Sequence, residues 1–385
     1  MCAACVDGAS RRDDPSSSSR QIQSPGPLRV DGGRFVLPDG TPFVWRGITA
    51  FRLLEMESAG RGQEVDAYLA WASSAGLNVV RVLAMAKHLF ELPPGRGLSH
   101  LGALLRRAAA HRMFVEVVAL ADTASYPIDP ATHVERVVRI CRQHANALIE
   151  IANEPYHPTQ DARVHDLTYL RQLLRLVPPE VPAASGAAEV AALADGTYVT
   201  AHFPRSSGAN GWGHVRDLHE GRALLRAARK PVISDEPIGA APRFEPGRRD
   251  DDPERFRAAA LATRLIGLGA TFHYEGGLQA RKPEGREAEC FSAWQEAWTL
   301  LPGNESFTAS DPGDPGGPVQ AITGAPAVAS FVAIRGTTAW VLIAGTSGTA
   351  GVEWNPGWAA EHSSEWPRSR LLAASLRTVS DRKSP

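Results

Sequence analysis

The chain is short of net charge, of cysteine and of long apolar runs. Its 41 Lys and Arg almost balance 42 Asp and Glu over 385 residues. It therefore lacks the basic surplus that a phosphate backbone demands, and no nucleic-acid partner is expected. The four cysteines are scattered. Cys2 and Cys5 lie in a polar tail, Cys141 falls on the apolar face of a helical stretch, and Cys290 stands alone far downstream. That spacing makes neither a disulfide framework nor a zinc site. No run approaches the roughly 20 apolar residues of a membrane-spanning helix. The N-terminus as written, Met1-Cys2-Ala3-Ala4-Cys5-Val6-Asp7, has no basic segment and no hydrophobic core, so no signal peptide is expected in it. The expected location is cytoplasmic by default, or exported should the start lie upstream. No glycine-rich fingerprint follows an early strand-like run, which excludes a dinucleotide-binding sheet. These absences leave a neutral polar ligand as the natural partner, and no feature sets an oligomeric state.

What is present is a long alternation. Residues 1–27, with Ser16-Ser17-Ser18-Ser19 and Pro25-Gly26-Pro27, read as a disordered tail. From Leu28, two strand-like runs flank Asp31-Gly32-Gly33, and Pro38-Asp39-Gly40-Thr41 makes a second turn. The hairpin is expected to floor a barrel whose first strand is 42–49. Helices are expected over 63–75, 100–111, 132–144, 162–176, 187–194, 217–228, 253–268 and 287–300. Between them fall strands at 77–83, 113–120, 147–152, 181–185, 197–201, 231–235 and 270–274. Gly76 suits a left-handed helix cap, and Thr132 with Glu135 reads as a capping box. Eight βα units with short connections predict an α/β fold, a (β/α)8 barrel over 28–305, for which about 250 residues suffice. Residues 306–320, with Asp311-Pro312-Gly313-Asp314-Pro315-Gly316-Gly317-Pro318, read as a linker. The remainder, 321–385, is expected to be a small β-rich segment, in which 327–334 and 338–344 alternate as an antiparallel pair around Arg335-Gly336-Thr337.

The chemistry-bearing stretch is Ala147-Leu148-Ile149-Glu150-Ile151-Ala152-Asn153-Glu154-Pro155. A run of β-formers stops at an amide and a carboxylate, and Pro155 ends the ladder. A parallel barrel builds its active face from the C-terminal ends of its strands. Lys230-Pro231-Val232-Ile233-Ser234-Asp235-Glu236-Pro237 ends the same way. Two strand-end carboxylates far apart in sequence suit glycosidic hydrolysis, which with retention needs an acid and a nucleophile about 5–5.5 Å apart. Neighbours on a strand point to opposite faces, so only one of Asp235 and Glu236 is expected at the mouth. Arg81, inside an apolar strand, requires a carboxylate partner. Trp212, between Gly211 and Gly213, is a candidate sugar platform or an anchor for its own loop. Trp71, Trp294 and Trp298 lie on helices and read as core.

Glu150-Ile151-Ala152-Asn153-Glu154-Pro155 resembles the strand-4 signature of the clan-A glycoside hydrolases, the cellulase and mannanase superfamily, and points to a barrel like that of family 5. Lys230-Pro231-Val232-Ile233-Ser234-Asp235-Glu236 is similar to that family's strand 7, and Asp39-Gly40-Thr41-Pro42-Phe43-Val44-Trp45-Arg46-Gly47 to its opening. The resemblance runs from Leu28 to Leu300. It implies a retaining β-glycosidase working by double displacement on an oligo- or polysaccharide, with no cofactor and no metal. Carried over residue by residue, it makes Glu154 the acid/base and Glu236 the nucleophile, with Asp235 the alternative. It also makes Asn153 a contact to the sugar 2-hydroxyl, Arg81 the neighbour of the nucleophile, and His202 a residue of the active centre. Three positions depart. Pro204 stands where the family often has tyrosine, and strand 3 ends in Ala121-Asp122-Thr123 without a histidine. Phe272-His273-Tyr274-Glu275-Gly276-Gly277 replaces a tryptophan platform, which leaves His273 or Tyr274 as sugar contacts. Two rivals are a barrel that binds carbohydrate without cleaving it, and a metal-dependent barrel hydrolase drawing on His202, His214, His219 and His273. The second lacks the His-x-His it would want in strand 1.

Overall fold

The computed structural model describes residues 26–186, 196–202, 213–236, 239–240, 252–301, 307–323, 327–336, 338–345, 349–361, 369–374 and 378–382. A small antiparallel sheet opens it: β1 (Arg29–Asp31), β2 (Arg34–Val36) and β3 (Pro42–Phe43). The first barrel strand is β4 (Arg46–Thr49). The run 42–49, expected as one barrel strand, is thus two elements, and Asn78 accounts for the break. Its side-chain oxygen accepts from the Arg46 N–H and its amide donates to the Val44 carbonyl, both at 2.8 Å. Those bonds satisfy the backbone at the corner where it leaves one sheet for another.

The barrel continues through β5 (Val79–Leu83), β6 (Phe114–Leu120), β7 (Ala147–Ala152), β8 (Ala183–Ala184), β9 (Val199–Ala201) and β10 (Val232–Ser234). After the two-residue β11 (Gly239–Ala240) comes β12 (Gly269–Tyr274). The parallel order is β8-β7-β6-β5-β4-β12-β10-β9, with β11 attached to β12. Thr197 spans the seam between β8 and β9: its N–H donates to the Ala183 carbonyl at 2.8 Å, and its hydroxyl accepts from the Ala183 N–H at 2.7 Å. The fold is a (β/α)8 barrel, as the alternation predicts.

The helices are α1 (Leu53–Ser58), α2 (Gly62–Ser74), α3 (Pro94–Ala110), α4 (Pro130–Cys141), α5 (Leu167–Leu174), α6 (Gly213–Ala228), α7 (Pro253–Leu265), α8 (Glu275–Leu278) and α9 (Arg286–Leu300). Gly76 follows α2 at φ +76, the left-handed stop expected of it. Three other helices differ from expectation for local reasons. α3 starts at Pro94, whose fixed φ suits a first turn, well before residue 100. Asp129, not Thr132, caps α4, accepting from the Thr132 N–H at 3.0 Å and hydroxyl at 2.9 Å. The helix expected over 162–176 is a 3₁₀ turn (Ala162–His165) followed by α5, because Asp166 caps anew at the Thr168 N–H. The helix expected at 187–194 lies outside the described residues.

Period-2 alternation sorts the barrel interior into layers. At the bottom Trp45, Val79, Phe114, Leu148, Ala184, Tyr198 and Ile233 pack with Leu28 and Phe35 of the N-terminal sheet. Phe35 stacks 5.7 Å from Trp45 and meets Tyr198 at 5.4 Å, so the sheet plugs the barrel floor. One step up the same strands, the layer is polar. On the outer face, Phe272 meets Phe291 of α9 at 5.0 Å and Phe256 of α7 at 5.5 Å.

The C-terminal unit contains β13 (Thr308–Ser310), β14 (Val319–Thr323), β15 (Ala327–Arg335), β16 (Thr338–Gly345), β17 (Thr349–Trp354), α10 (Pro356–Glu361), β18 (Ser369–Ala374) and β19 (Thr378–Arg382). They form two sheets, β13-β15-β16-β18 and β14-β17-β19. The antiparallel pair β15–β16 turns at Gly336, as its alternation predicts. One feature exceeds the sequence reading: β13, inside the stretch read as a linker, pairs with β15. Phe331 of β15 stacks on His219 of α6 at 4.3 Å, joining this unit to the barrel. No helix among the described residues is long and apolar enough to cross a membrane.

One glycine ties the fold to the barrel mouth. Gly186, just past β8, has φ +85, and a Cβ there would stand 1.7 Å from the Ala152 carbonyl oxygen at the end of β7. Gly186→Ala is expected to lower stability by at least about 2 kcal/mol, because backbone strain and clash add. A denaturant midpoint shifted by less than the equivalent of about 0.5 kcal/mol would contradict the packing described.

Candidate active site

The polar layer is built on Arg81. All five residues of β5 are buried, and Arg81 is the third, on the same side of the strand as Val79 of the floor. Its Nε and one terminal nitrogen hold Glu150 of β7 in a fork at 2.9 and 2.8 Å. The other terminal nitrogen donates to Glu236 at 2.6 Å. The Asn153 side-chain oxygen accepts at 3.0 Å, Asp235 lies 3.2 Å from Nε, and Glu116 of β6 lies 3.7 Å away. Phe51 covers the guanidinium at 5.2 Å. Burial alone would weaken the guanidinium's hold on its proton. The charges of Glu150, Asp235 and Glu236 outweigh it, and Arg81 titrates well above its ordinary value.

Its acidic partners divide by environment. Glu116 is fully buried, next to Glu150 and Asp235. Burial and those like charges push its carboxyl well above the usual range, so it keeps its proton. The Tyr198 hydroxyl donates to Glu116 Oε1 at 2.8 Å, while Oε2 has no hydrogen-bond partner among the described residues. Burial also raises Glu150, to about 7, against the pull of Arg81. Asp235 goes the other way: Arg81 and His202 overcome the cost of burial and hold it below the ordinary carboxylate value.

Above this layer the strand ends open into a cleft of about 670 Å³, lined by Phe51, Asn153, Glu154, His202, Glu236 and His273 among others. Glu154 leaves β7 with φ +43, a left-handed conformation unusual outside glycine. Neighbours hold it there: the Asn153 N–H donates to the Leu120 carbonyl at 2.9 Å, Gln160 donates to the Asn153 carbonyl at 2.6 Å, and the His157 N–H donates to the Glu154 carbonyl at 2.8 Å. His202, just past β9, sits between the acids. One ring nitrogen is 3.5 Å from Glu154 and 3.9 Å from Glu236; the other is 3.4 Å from Asp235. Burial disfavours the imidazolium, but Asp235 and Glu236 prevail and raise it well above its ordinary value. The His273 Nδ1 lies 2.9 Å from the Thr49 hydroxyl.

The structure thus brings Arg81, Asn153, Glu154, His202, Glu236 and His273 together. It places Tyr274 elsewhere. Tyr274 is fully buried on the outer face of β12, its hydroxyl 3.2 Å from that of Tyr68 and donating to the Arg281 carbonyl. Alternation decides this: β12 aims His273 inward, so Tyr274 points out and is no sugar contact. Trp212 lies outside the described residues. Of Asp235 and Glu236, only Glu236 lines the cleft. β10 ends at Ser234, and past it both carboxylates reach Arg81, Asp235 buried against it and Glu236 meeting both Arg81 and the cleft. Glu116 and Tyr198 were not singled out from sequence. A lone glutamate inside Phe114-Val115-Glu116-Val117-Val118 was the available signal, the acidic counterpart of Arg81 in its own apolar strand.

Two donor sets lie close enough to share a cation: Glu150, His202 and Asp235, and Glu154, His202 and Glu236, each with ligand atoms within 4.8 Å. In the first set both carboxylates, and in the second Glu236, are matched to Arg81, while His202 stands between Glu154, Asp235 and Glu236 as a cationic partner, so their chemistry is that of a salt-bridged network. Of the other histidines, His219 stacks on Phe331 and His214 is buried in the first turn of α6.

The barrel has the fold of solved family 5 glycoside hydrolases. Among solved structures it is similar to a β-glucanase from Saccharophagus degradans in complex with cellotetraose, with TM-score 0.55 and 13% identity, over 76% of this chain and 98% of that one. It is similar to a family 5 glycoside hydrolase from Bacteroides vulgatus, with TM-score 0.58 and 14% identity, over 80% of this chain and 78% of that one. A family 5 mannosidase from Rhizomucor miehei gives TM-score 0.52 and 11% identity, over 72% and 97%. At these identities the likeness is one of fold. No protein-family model and no curated protein matches the sequence.

The charge assignment is testable by stability. Arg81→Met removes the cation from four buried acids and is expected to cost about 3–5 kcal/mol. Glu116→Gln replaces a carboxyl that already holds its proton and keeps an acceptor for Tyr198, so it should cost less than about 1 kcal/mol. Urea midpoints of the two variants check this; equal losses would mean that Glu116 is ionised.

Proposed function

We propose that the protein is a retaining glycoside hydrolase acting on a β-linked glycoside. One observation carries the reading. A carboxylate oxygen of Glu154, a ring nitrogen of His202 and a carboxylate oxygen of Glu236 all lie within 4.8 Å of one another, at the open end of the barrel. That closeness supports the 5–5.5 Å carboxyl separation of retaining enzymes over the roughly 6.5–9.5 Å of inverting ones. The solved neighbours, a β-glucanase bound to cellotetraose and a mannosidase, favour a β-linked hexose substrate.

In this reading Glu236 attacks the anomeric carbon. Arg81, 2.6 Å away, gives its other oxygen a fixed partner. Glu154, 29% exposed at its side chain and so open to the cleft, delivers a proton to the departing oxygen. Once that group has left, Glu154 takes a proton from water, and the hydroxide releases the sugar from Glu236 with net retention. Asn153, oriented by Arg81, is placed to meet the 2-hydroxyl. His202, held charged by Asp235, orients both acids. His273, fixed by Thr49, lines the cleft beside them.

With 4-nitrophenyl β-glycosides as substrates, Glu236→Ala is expected to lose activity by on the order of 10⁴-fold or more. Azide should restore turnover and yield a glycosyl azide of inverted configuration. Full activity in the variant would move the nucleophile to Asp235. A wild-type protein silent on every glycoside, yet binding oligosaccharide, would make the barrel a carbohydrate-binding one.

A further inference from the structure

Among the described residues three large apolar side chains are strongly exposed: Tyr156 at 57%, Leu300 at 43% and Leu89 at 37%. Two of the three, Tyr156 and Leu89, line the candidate cleft. Exposed apolar area at a cleft is area that a ligand can cover. Tyr156 is also tied to the chemistry. The left-handed turn at Glu154 brings the chain back, and the Tyr156 hydroxyl donates to Glu154 Oε1 at 3.3 Å. Its ring therefore stands beside the acid on the solvent side, away from the buried end where Arg81, Asn153 and Glu236 meet. Elsewhere on the same cleft, the loop carrying Leu89 is fixed: Asp122 accepts from the N–H groups of Lys87 and His88 at 2.8 and 3.0 Å, and Gln279 donates to the Leu89 carbonyl at 3.2 Å.

From this placement we infer that Tyr156 is the platform for the sugar ring on the leaving-group side, and that it selects substrates whose leaving group is itself a sugar. The inference rests on the glycosidase reading above. The acid must face the oxygen that departs, so whatever lies over a ring bonded to Glu154 belongs to the departing group. A tyrosine suits the task, because its apolar face takes the C–H surface of a pyranose while its hydroxyl stays bonded to the acid. Tyr156 is thus a specificity residue, distinct in role from Asn153 and His202, which serve the sugar being transferred.

The test compares cellotetraose and mannotetraose with the matching β-glycosyl fluorides, whose leaving group is too small to reach the ring. In Tyr156→Ala, kcat/KM on the better oligosaccharide is expected to fall roughly tenfold further than on its fluoride, the size of one lost aromatic contact. The difference should lie mainly in KM. Tyr156→Phe keeps the ring and should hold the oligosaccharide-to-fluoride ratio within about threefold of wild type. Equal losses on both substrates in Tyr156→Ala, or none on either, would overturn the inference while leaving the glycosidase reading intact. Wild-type protein that cleaves neither substrate class would overturn both.

Discussion

The structure depends on one buried cation. Arg81 sits inside the barrel with no exposed surface, and removing a guanidinium from water costs several kcal/mol unless partners restore what hydration supplied. Those partners come from two other parts of the sheet, Glu150 on β7 and Asp235 with Glu236 after β10, while the protonated Glu116 of β6 stands beside them. A strand slipped by one residue would turn its acid outward and leave the charge unpaired, so the network also sets register. The bond from Arg81 to Glu150 closes within the strand that ends at Asn153-Glu154. The bond to Glu236 closes across the mouth. Stability and site geometry therefore rest on the same contacts.

The layering around Arg81 explains why the site is at one end only. Below it, Trp45, Phe35, Tyr198 and their neighbours fill the floor with aromatic and aliphatic surface, and the N-terminal sheet seals it. Above it, the strands stop and the side chains are polar. Tyr198 belongs to both layers, its ring edge-on to Phe35 in the floor while its hydroxyl reaches Glu116. The acids at the mouth are thus held by fixed partners before any ligand arrives, the preorganised electrostatics that chemistry at a glycosidic bond requires. The left-handed turn at Glu154 stores backbone strain at the position proposed for proton transfer, and Gln160 and Leu120 keep it there.

Much of this could be read from the chain, where one element's pattern decided the outcome. The apolar runs ending at Asn153-Glu154 and Asp235-Glu236 marked strand ends, and the alternation of helix and strand implied the barrel. An arginine within Val79-Val80-Arg81-Val82-Leu83 could only be buried beside acids. What escaped depended on partners distant in sequence. Thr132 and Asp129 are both capping residue types, and only the backbone shows which one accepts the N–H. Asn78 breaks the 42–49 run through bonds that no local pattern signals. His273 and Tyr274 were interchangeable until the pleat of β12 set one inward. Asp235 and Glu236 both reach Arg81 because the strand ends a residue earlier than its apolar pattern suggests. Tyr156 carries no such signal, because an aromatic in a loop four residues past the end of β7 has no pattern of its own.

The claim on which the account turns is that Glu236, held by Arg81, forms a bond to sugar. Incubation with 2-deoxy-2-fluoro-β-glycosyl fluorides of the gluco and manno series, followed by peptide mass analysis, tests it most directly. The account predicts one fluorosugar per chain, on the peptide containing Glu236 and at that side chain. A label on Asp235 or Glu154, or steady hydrolysis of ordinary glycosides with no covalent label from either reagent, would contradict it.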